Sequence, residues 1–204
     1  MKKNITCFCR TNFQFEYNDE INIDENQDVL NQILEGTFMS TNCPSCGKKF
    51  KPELKIRIIW KSKNLLMDVI PELERGEFYR NKKDKSNAQI IIGFPEMADR
   101  LSVIKDDLEP VVIETIKSFL LAKAAENFPE NDVNAWYHCS APSGIEFHLD
   151  GIRKGEMAVM RIPRETYDRT LDDYKNHPKK SIYSSLQVKS YLSVQNLMRP
   201  DALK

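Results

Sequence analysis

A chain of 204 residues with 41% hydrophobic and 29% charged content can bury a core in one or two domains. Lysine plus arginine equals aspartate plus glutamate, 30 each, so there is no overall cationic field for nucleic acid and only a local basic patch would serve. No apolar run approaches the ~18 residues of a membrane span, and the opening MKKNITCFC lacks the apolar stretch of a secretory signal. These features place the chain in the cytoplasm, where thiols stay reduced and clustered cysteines indicate a metal site rather than disulfides.

In chain order, NFQFEY alternates Phe13, Phe15 and Tyr17 with polar residues, the period of a half-buried strand. DENQDVLNQILEG then sets Val29, Leu30, Ile33 and Leu34 on one helical face, with Asp24 or Asn26 as cap and Gly36 as stop. ELKIRIIW returns to alternation through Leu54, Ile56, Ile58 and Trp60, and KSKN turns the chain into a second strand, LLMDVI. Residues 74–88, ERGEFYRNKKDKSNA, read as a charged linker between domains 1–75 and 88–204, or as a loop within one continuous domain. QIIIGF is a buried strand. Pro110 to Phe128 gives the strongest helix signal, with Pro110 in its first turn and Ile116, Phe119 and Leu120 at core spacing. Three strand-like runs follow, VNAWYHC, IEFHLDG and EMAVMRI, joined by SAPSG and IRKG as an antiparallel meander. Helical stretches at about 164–175 and 191–198 close the chain. The fold class is α+β: a β-rich N-terminal unit with one helix, then a long helix, a three-stranded meander and C-terminal helices.

Chemistry concentrates in the cysteines. Cys7 and Cys9 stand one residue apart, Cys43 and Cys46 two residues apart, and Cys139 is alone. Four thiolates suit one structural Zn²⁺ in a closed tetrahedral shell. In CPSCG, Pro44 presets the turn and Gly47 permits the positive φ that aims backbone N–H groups at sulfur. Cys7 and Cys9 need a local distortion, because residues i and i+2 of a regular strand do not chelate readily. A zinc with four thiolates has a net charge of about −2, and Arg10, Lys48, Lys49 and Lys51 stand nearby to compensate.

Residues 5 to about 75 resemble the CpXC domain, a prokaryotic family named for two Cys-Pro-x-Cys motifs. The resemblance rests on the two cysteine pairs, EINIDENQDVLNQILEGTFM between them, CPSCGKKF and the later LLMDVIPELER. Cys43 and Cys46 match the second motif with Pro44 as its proline. Cys7 and Cys9 match the first with one residue fewer and no proline. The resemblance covers roughly the first 40% of the chain and implies a fold and a zinc-ribbon-like site, not an activity.

In the second half, Cys139 reads as a small buried strand residue. If SAPSG closes the first hairpin, Cys139 faces Ile145 and His138 faces Glu146. If IRKG closes the second, Glu146 faces Arg161. His138, Glu146 and Arg161 then form a row on one face of the meander, beside Trp136 and His148. This row is either a solvated ion-pair surface or a face for a polar ligand. No phosphate loop, nucleophile elbow or zinc-protease helix is present, and no catalytic residue is assigned. The basic run Arg80 to Lys85 reads as a solvated loop. The reading that results is a zinc-binding, non-enzymatic protein whose partner is another protein. The alternatives are a nucleic-acid-associated zinc-ribbon protein, a thiol redox switch, and a small-ligand binder or enzyme using the C-terminal half.

Overall fold

A computed structural model describes residues 1–81 and 87–198. Of the basic run at 80–85, residues 82–85 lie outside the described residues. The chain is α+β and forms two compact units, Met1–Ala98 and Asp99–Lys204.

The first unit begins with an antiparallel hairpin of β1 (Lys2–Thr6) and β2 (Asn12–Glu16). The expected strand is present, and β1 is added to it. Next come β3 (Glu20–Asn22), α1 (Gln27–Leu34), and the two-residue strands β4 (Thr41–Asn42) and β5 (Lys49–Phe50), which pair antiparallel. Leu30 and Ile33 carry the buried face of α1. β6 (Ile56–Trp60) and β7 (Leu65–Ile70) form the expected hairpin, and Ile56, Ile58 and Trp60 are buried while Arg57 is exposed. Arg57 reaches across to the opposed Asp68 at 2.7 Å.

The 74–88 segment differs from the expected loop. Residues Arg75–Arg80 form a helix, α2, and Arg75 is buried against Glu72 and Glu96 at 2.5 and 2.6 Å. The charges that suggested a solvated linker are thus partly an internal ion-pair cluster. The next strand, β8 (Gln89–Ile92), pairs parallel with β7, so the first unit carries a sheet segment in the order β8-β7-β6-β3. Helix α3 (Phe94–Lys105) was not expected, because its polar residues interrupt the apolar repeat.

In the second unit α4 (Pro110–Asn127) lies within the core. Val112, Ile113, Ile116, Leu120, Leu121 and Ala124 are all buried, on more than one side of the helix. β9 (Asn134–Ala141), β10 (Gly144–Asp150) and β11 (Ala158–Pro163) form the expected antiparallel meander in the order β11-β10-β9. Ile145, Phe147 and Leu149 face α4, as their alternation requires, and join its apolar residues in one core. Phe119 does not join them; it is 58% exposed. Gly144 opens β10 where the β11 backbone comes close: a Cβ there would stand 2.5 Å from the Ile162 carbonyl oxygen. α5 (Arg164–Asn176) matches the helix expected at 164–175. The stretch at 191–198 is only partly helical: after α6 (Ser181–Ser185) and β12 (Gln187–Val188), Tyr191–Leu192 is a strand, β13, and only Gln195–Met198 is a helix, α7. β12 and β13 pair antiparallel.

Among the described residues of this unit, four charges are buried. Lys117 bonds to Asp99 and, at 2.9 Å, to Glu114, and Arg100 stands 3.6 Å from Glu114. Backbone N–H groups of Tyr137 and Val194 donate to Asp99 and Glu114 at 2.7 and 2.8 Å. Two acids and two bases cancel, and the network ties α3, α4, β9 and the C-terminal segment together. Removing one cation leaves a carboxylate buried without its partner, which costs far more than the pair itself contributes. Lys117→Met is accordingly expected to destabilise the second unit by about 3–5 kcal/mol. Urea unfolding read by Trp136 fluorescence in a Trp60→Phe background checks this.

Candidate metal centre

The β1–β2 hairpin turns at residues 7–11, and both cysteines of the first pair lie in that turn, not on the strand. The Arg10 N–H donates to the Cys7 carbonyl at 2.8 Å and the Cys7 N–H to the Thr11 carbonyl at 2.9 Å. Arg10 itself adopts a left-handed φ of 69°. This turn is the local distortion that the one-residue spacing requires. The second pair occupies the turn between β4 and β5. There the Cys43 N–H donates to the Lys48 carbonyl at 3.0 Å, the Gly47 N–H donates to the Cys43 carbonyl at 2.9 Å, and Gly47 takes a φ of +70°.

The two turns bring four sulfurs together. Cys7 Sγ lies 3.6 Å from Cys46 Sγ, and Cys9 Sγ lies 3.6 Å from Cys43 Sγ, so each short contact crosses from one hairpin to the other. All four sulfurs are within 4.8 Å of one another. A regular tetrahedron with Zn–S bonds of ~2.3 Å has edges of ~3.8 Å. The crossing pairs already have nearly that span and are far too long for disulfides. Cys7 and Cys43 are buried, while Cys9 and Cys46 are exposed. These four cysteines could hold a metal ion.

Backbone N–H groups are aimed at the sulfurs. Those of Cys46 and Ser45 hold the Cys43 thiol below its usual range. The Thr11 hydroxyl, then its N–H, brings Cys9 down to about 6. At Cys7 the N–H of Cys9 acts to lower the thiol, but burial and the neighbouring sulfurs outweigh it and push the group up to about 12. Four sulfurs this close cannot all become thiolates unless a cation stands among them. Lys51, expected to offset that charge, instead donates to the Gly36 carbonyl. Arg10, Lys48 and Lys49 are exposed around the centre. Phe8, between the first two cysteines, is 88% exposed, and sequence patterning gave no sign of it.

The meander row also forms, with one change in register. Glu146 is opposite Arg161, as expected, and accepts from its guanidinium at 3.0 Å. Cys139, not His138, is opposite Glu146, and Ser140, not Cys139, is opposite Ile145. The cause is a β-bulge at His138: one extra residue in β9, which alternation cannot reveal. Cys139 is accordingly exposed and not a core residue. Trp136 donates its indole N–H to Asp150 at 2.9 Å on the same face as the row.

Two titrations follow from this geometry. In metal-free protein Cys9, the exposed thiol with lowered pKa, is expected to alkylate first near neutral pH, with Cys7 the slowest of the four; peptide mapping after brief iodoacetamide treatment reads the order. The Arg161 guanidinium, then the His148 imidazole, holds the Glu146 carboxyl below the usual carboxylate range. Its folded pKa is depressed, so the stability it contributes is complete above the ordinary glutamate pKa and is lost as pH falls through the lowered value. Arg161→Ala should move the Glu146 titration upward, as followed by carboxyl ¹³C shifts.

Compared with known proteins, residues 5–117 match the family described as "CpXC protein", a span that continues past the 75 residues in which the motifs were recognised. A Treponema pallidum (strain Nichols) protein named "Uncharacterized protein" is 27% identical, over 95% of this chain and 97% of its own length. No solved structure matches. Among the described residues, no helix is long and apolar enough to cross a membrane.

Proposed function

This chain belongs to the CpXC protein family, and from that premise and the convergence of four thiols we propose that it is a zinc-binding, non-enzymatic interaction protein. Cys7, Cys9, Cys43 and Cys46 hold one structural Zn²⁺. The observation that carries the reading is the pair of crossing 3.6 Å sulfur contacts between two hairpin turns. Zinc is favoured because thiolate donors in a small tetrahedral shell suit it, and because a reducing cytoplasm keeps the thiols free to bind it. Four protein donors leave no position for water or substrate, which supports a structural role.

The ion is what makes this part of the unit fold. The β4 and β5 strands have two residues each, and isolated two-stranded hairpins are marginal in water. Besides the sulfurs, an edge-to-face contact of Phe13 with Phe50 at 5.8 Å joins the two hairpins. The surface offered to a partner is the knuckle that carries Phe8, with Arg10, Lys48 and Lys49 also exposed on the two cysteine turns and the strand after them. An aromatic residue left in solvent at a metal-rigidified turn is a suitable anchor for another protein.

Protein purified without added metal is expected to contain one zinc per chain by elemental analysis. Cys46→Ser should lose it and lose hydrogen-exchange protection in residues 1–16 and 41–50, while the β6–β7 hairpin stays protected. Absence of zinc, or iron with cluster absorbance, defeats the assignment. Phe8→Ala should keep the zinc and lose the partners that wild type retains in affinity isolation.

A further inference from the structure

The outward face of the meander carries a second convergence of donor atoms. Glu146 and His148 are two residues apart on β10 and so project from the same face. The bulge in β9 sets both His138 and Cys139 against Glu146. Bulges of this kind re-aim a side chain and are enriched beside functional sites. Here the His138 ring lies over that of His148, centroids 3.9 Å apart and planes 17° from parallel. Both Nε2 atoms turn toward a single carboxylate oxygen. Glu146 Oε1 is 3.4 Å from His148 Nε2 and 3.8 Å from His138 Nε2. The other oxygen, Oε2, is held by Arg161 at 3.0 Å, which fixes the plane of the carboxylate.

We propose that His138 Nε2, His148 Nε2 and Glu146 Oε1 form a second metal site, for a divalent transition-metal ion of the zinc type. The three donor atoms lie within 4.8 Å of one another. Two imidazoles and a carboxylate are donors that zinc and its first-row neighbours take readily. Bonds of ~2.0–2.1 Å in a tetrahedral shell set donors ~3.4 Å apart. The His148–Glu146 pair already has that span, whereas in the stack the two Nε2 lone pairs lie in nearly parallel planes, so the half-exposed His138 must tilt its ring out of the stack to aim at the same ion. Arg161 holds one oxygen of Glu146, and two imidazoles stand within 3.8 Å of the oxygen it leaves free. Protonated imidazoles would pair with that oxygen as well, and the metal titration below separates the two states. Three protein donors also leave a coordination position to solvent, unlike the four-thiol centre, so this ion would accept an exchangeable ligand.

The chain has three histidines, and the third, His177, is an internal control. Full-length protein already carrying its purified metal is titrated with Zn²⁺ while imidazole ¹⁵N resonances are followed. The Nε2 signals of His138 and His148 are expected to shift together and saturate with one further ion, while His177 stays in place. Glu146→Gln should weaken that ion's affinity by about tenfold or more. A His138→Ala, His148→Ala form should retain one ion fewer than wild type after gel filtration. Unresponsive His138 and His148, three histidines that shift alike, or equal metal in the double variant would overturn the proposal. The imidazole readout does not depend on the cysteines, so failure of the thiol centre would be seen separately, in Cys46→Ser.

Discussion

Four sulfurs packed at van der Waals range impose the constraint on which the N-terminal part of this chain depends. Each thiol that ionises makes the next harder to ionise; the spread from about 6 at Cys9 to about 12 at Cys7 comes first from the Thr11 hydrogen bonds at Cys9 and from burial at Cys7, with the neighbouring sulfurs adding to it. Backbone N–H groups at Ser45, Cys46 and Thr11 ease it by stabilising individual thiolates. They cannot abolish it, because the repulsion is between the sulfurs themselves. A divalent cation at the centre reverses the sign of the problem: every thiolate then gains from being there. With such an ion, two hairpins too short to bury a core would acquire one polar centre in place of many apolar contacts.

The second unit meets buried charge in the opposite way. Asp99, Arg100, Glu114 and Lys117 neutralise one another, and backbone donors complete the carboxylates. No external ion is needed, but every member must remain. Networks of this kind contribute little net stability beyond an apolar core, yet they penalise wrong packing severely. The arrangement is consistent with α4 being buried on several sides: charged groups within a buried helix specify its rotation and height, where an all-apolar helix could slide.

Much of this was legible in the sequence where a short period or a fixed spacing governs. Alternation placed Ile56, Ile58 and Trp60 inside, and Ile145, Phe147 and Leu149 against α4. The CxC and CPSC spacings identified the four thiols, because turns that bring two sulfurs to one point leave a local signature. The facing of Glu146 and Arg161 followed from the turn at IRKG. What was hidden is non-local. Arg75 looked like a loop charge because one of its carboxylate partners, Glu96, is 21 residues away. β8 joined the first unit by pairing with β7, which composition does not record. Phe119 carried the right spacing for the core but faces solvent, since a helix apolar on several sides does not announce which edge is left uncovered. The bulge at His138 inserts one residue with no glycine or proline to mark it, and it displaced every pairing expected between it and the turn.

That displacement decides the chemistry of the outer face. In an unbroken register His138 would have faced Glu146 directly, a simple cross-strand pair. With the bulge, Cys139 takes the facing position and His138 stacks on His148, so one carboxylate oxygen meets two imidazole nitrogens. Both metal-type donor sets among the described residues thus draw on a break in regular pairing: the thiols on two hairpin turns, and one imidazole, His138, on a bulge. Regular strands hold neighbouring side chains about 4.5–5.5 Å apart at Cβ and parallel, a geometry suited to pairing, not to convergence. Glu146 and His148 already meet from alternate positions of β10, and the interrupted ladder of β9 re-aims His138 to join them.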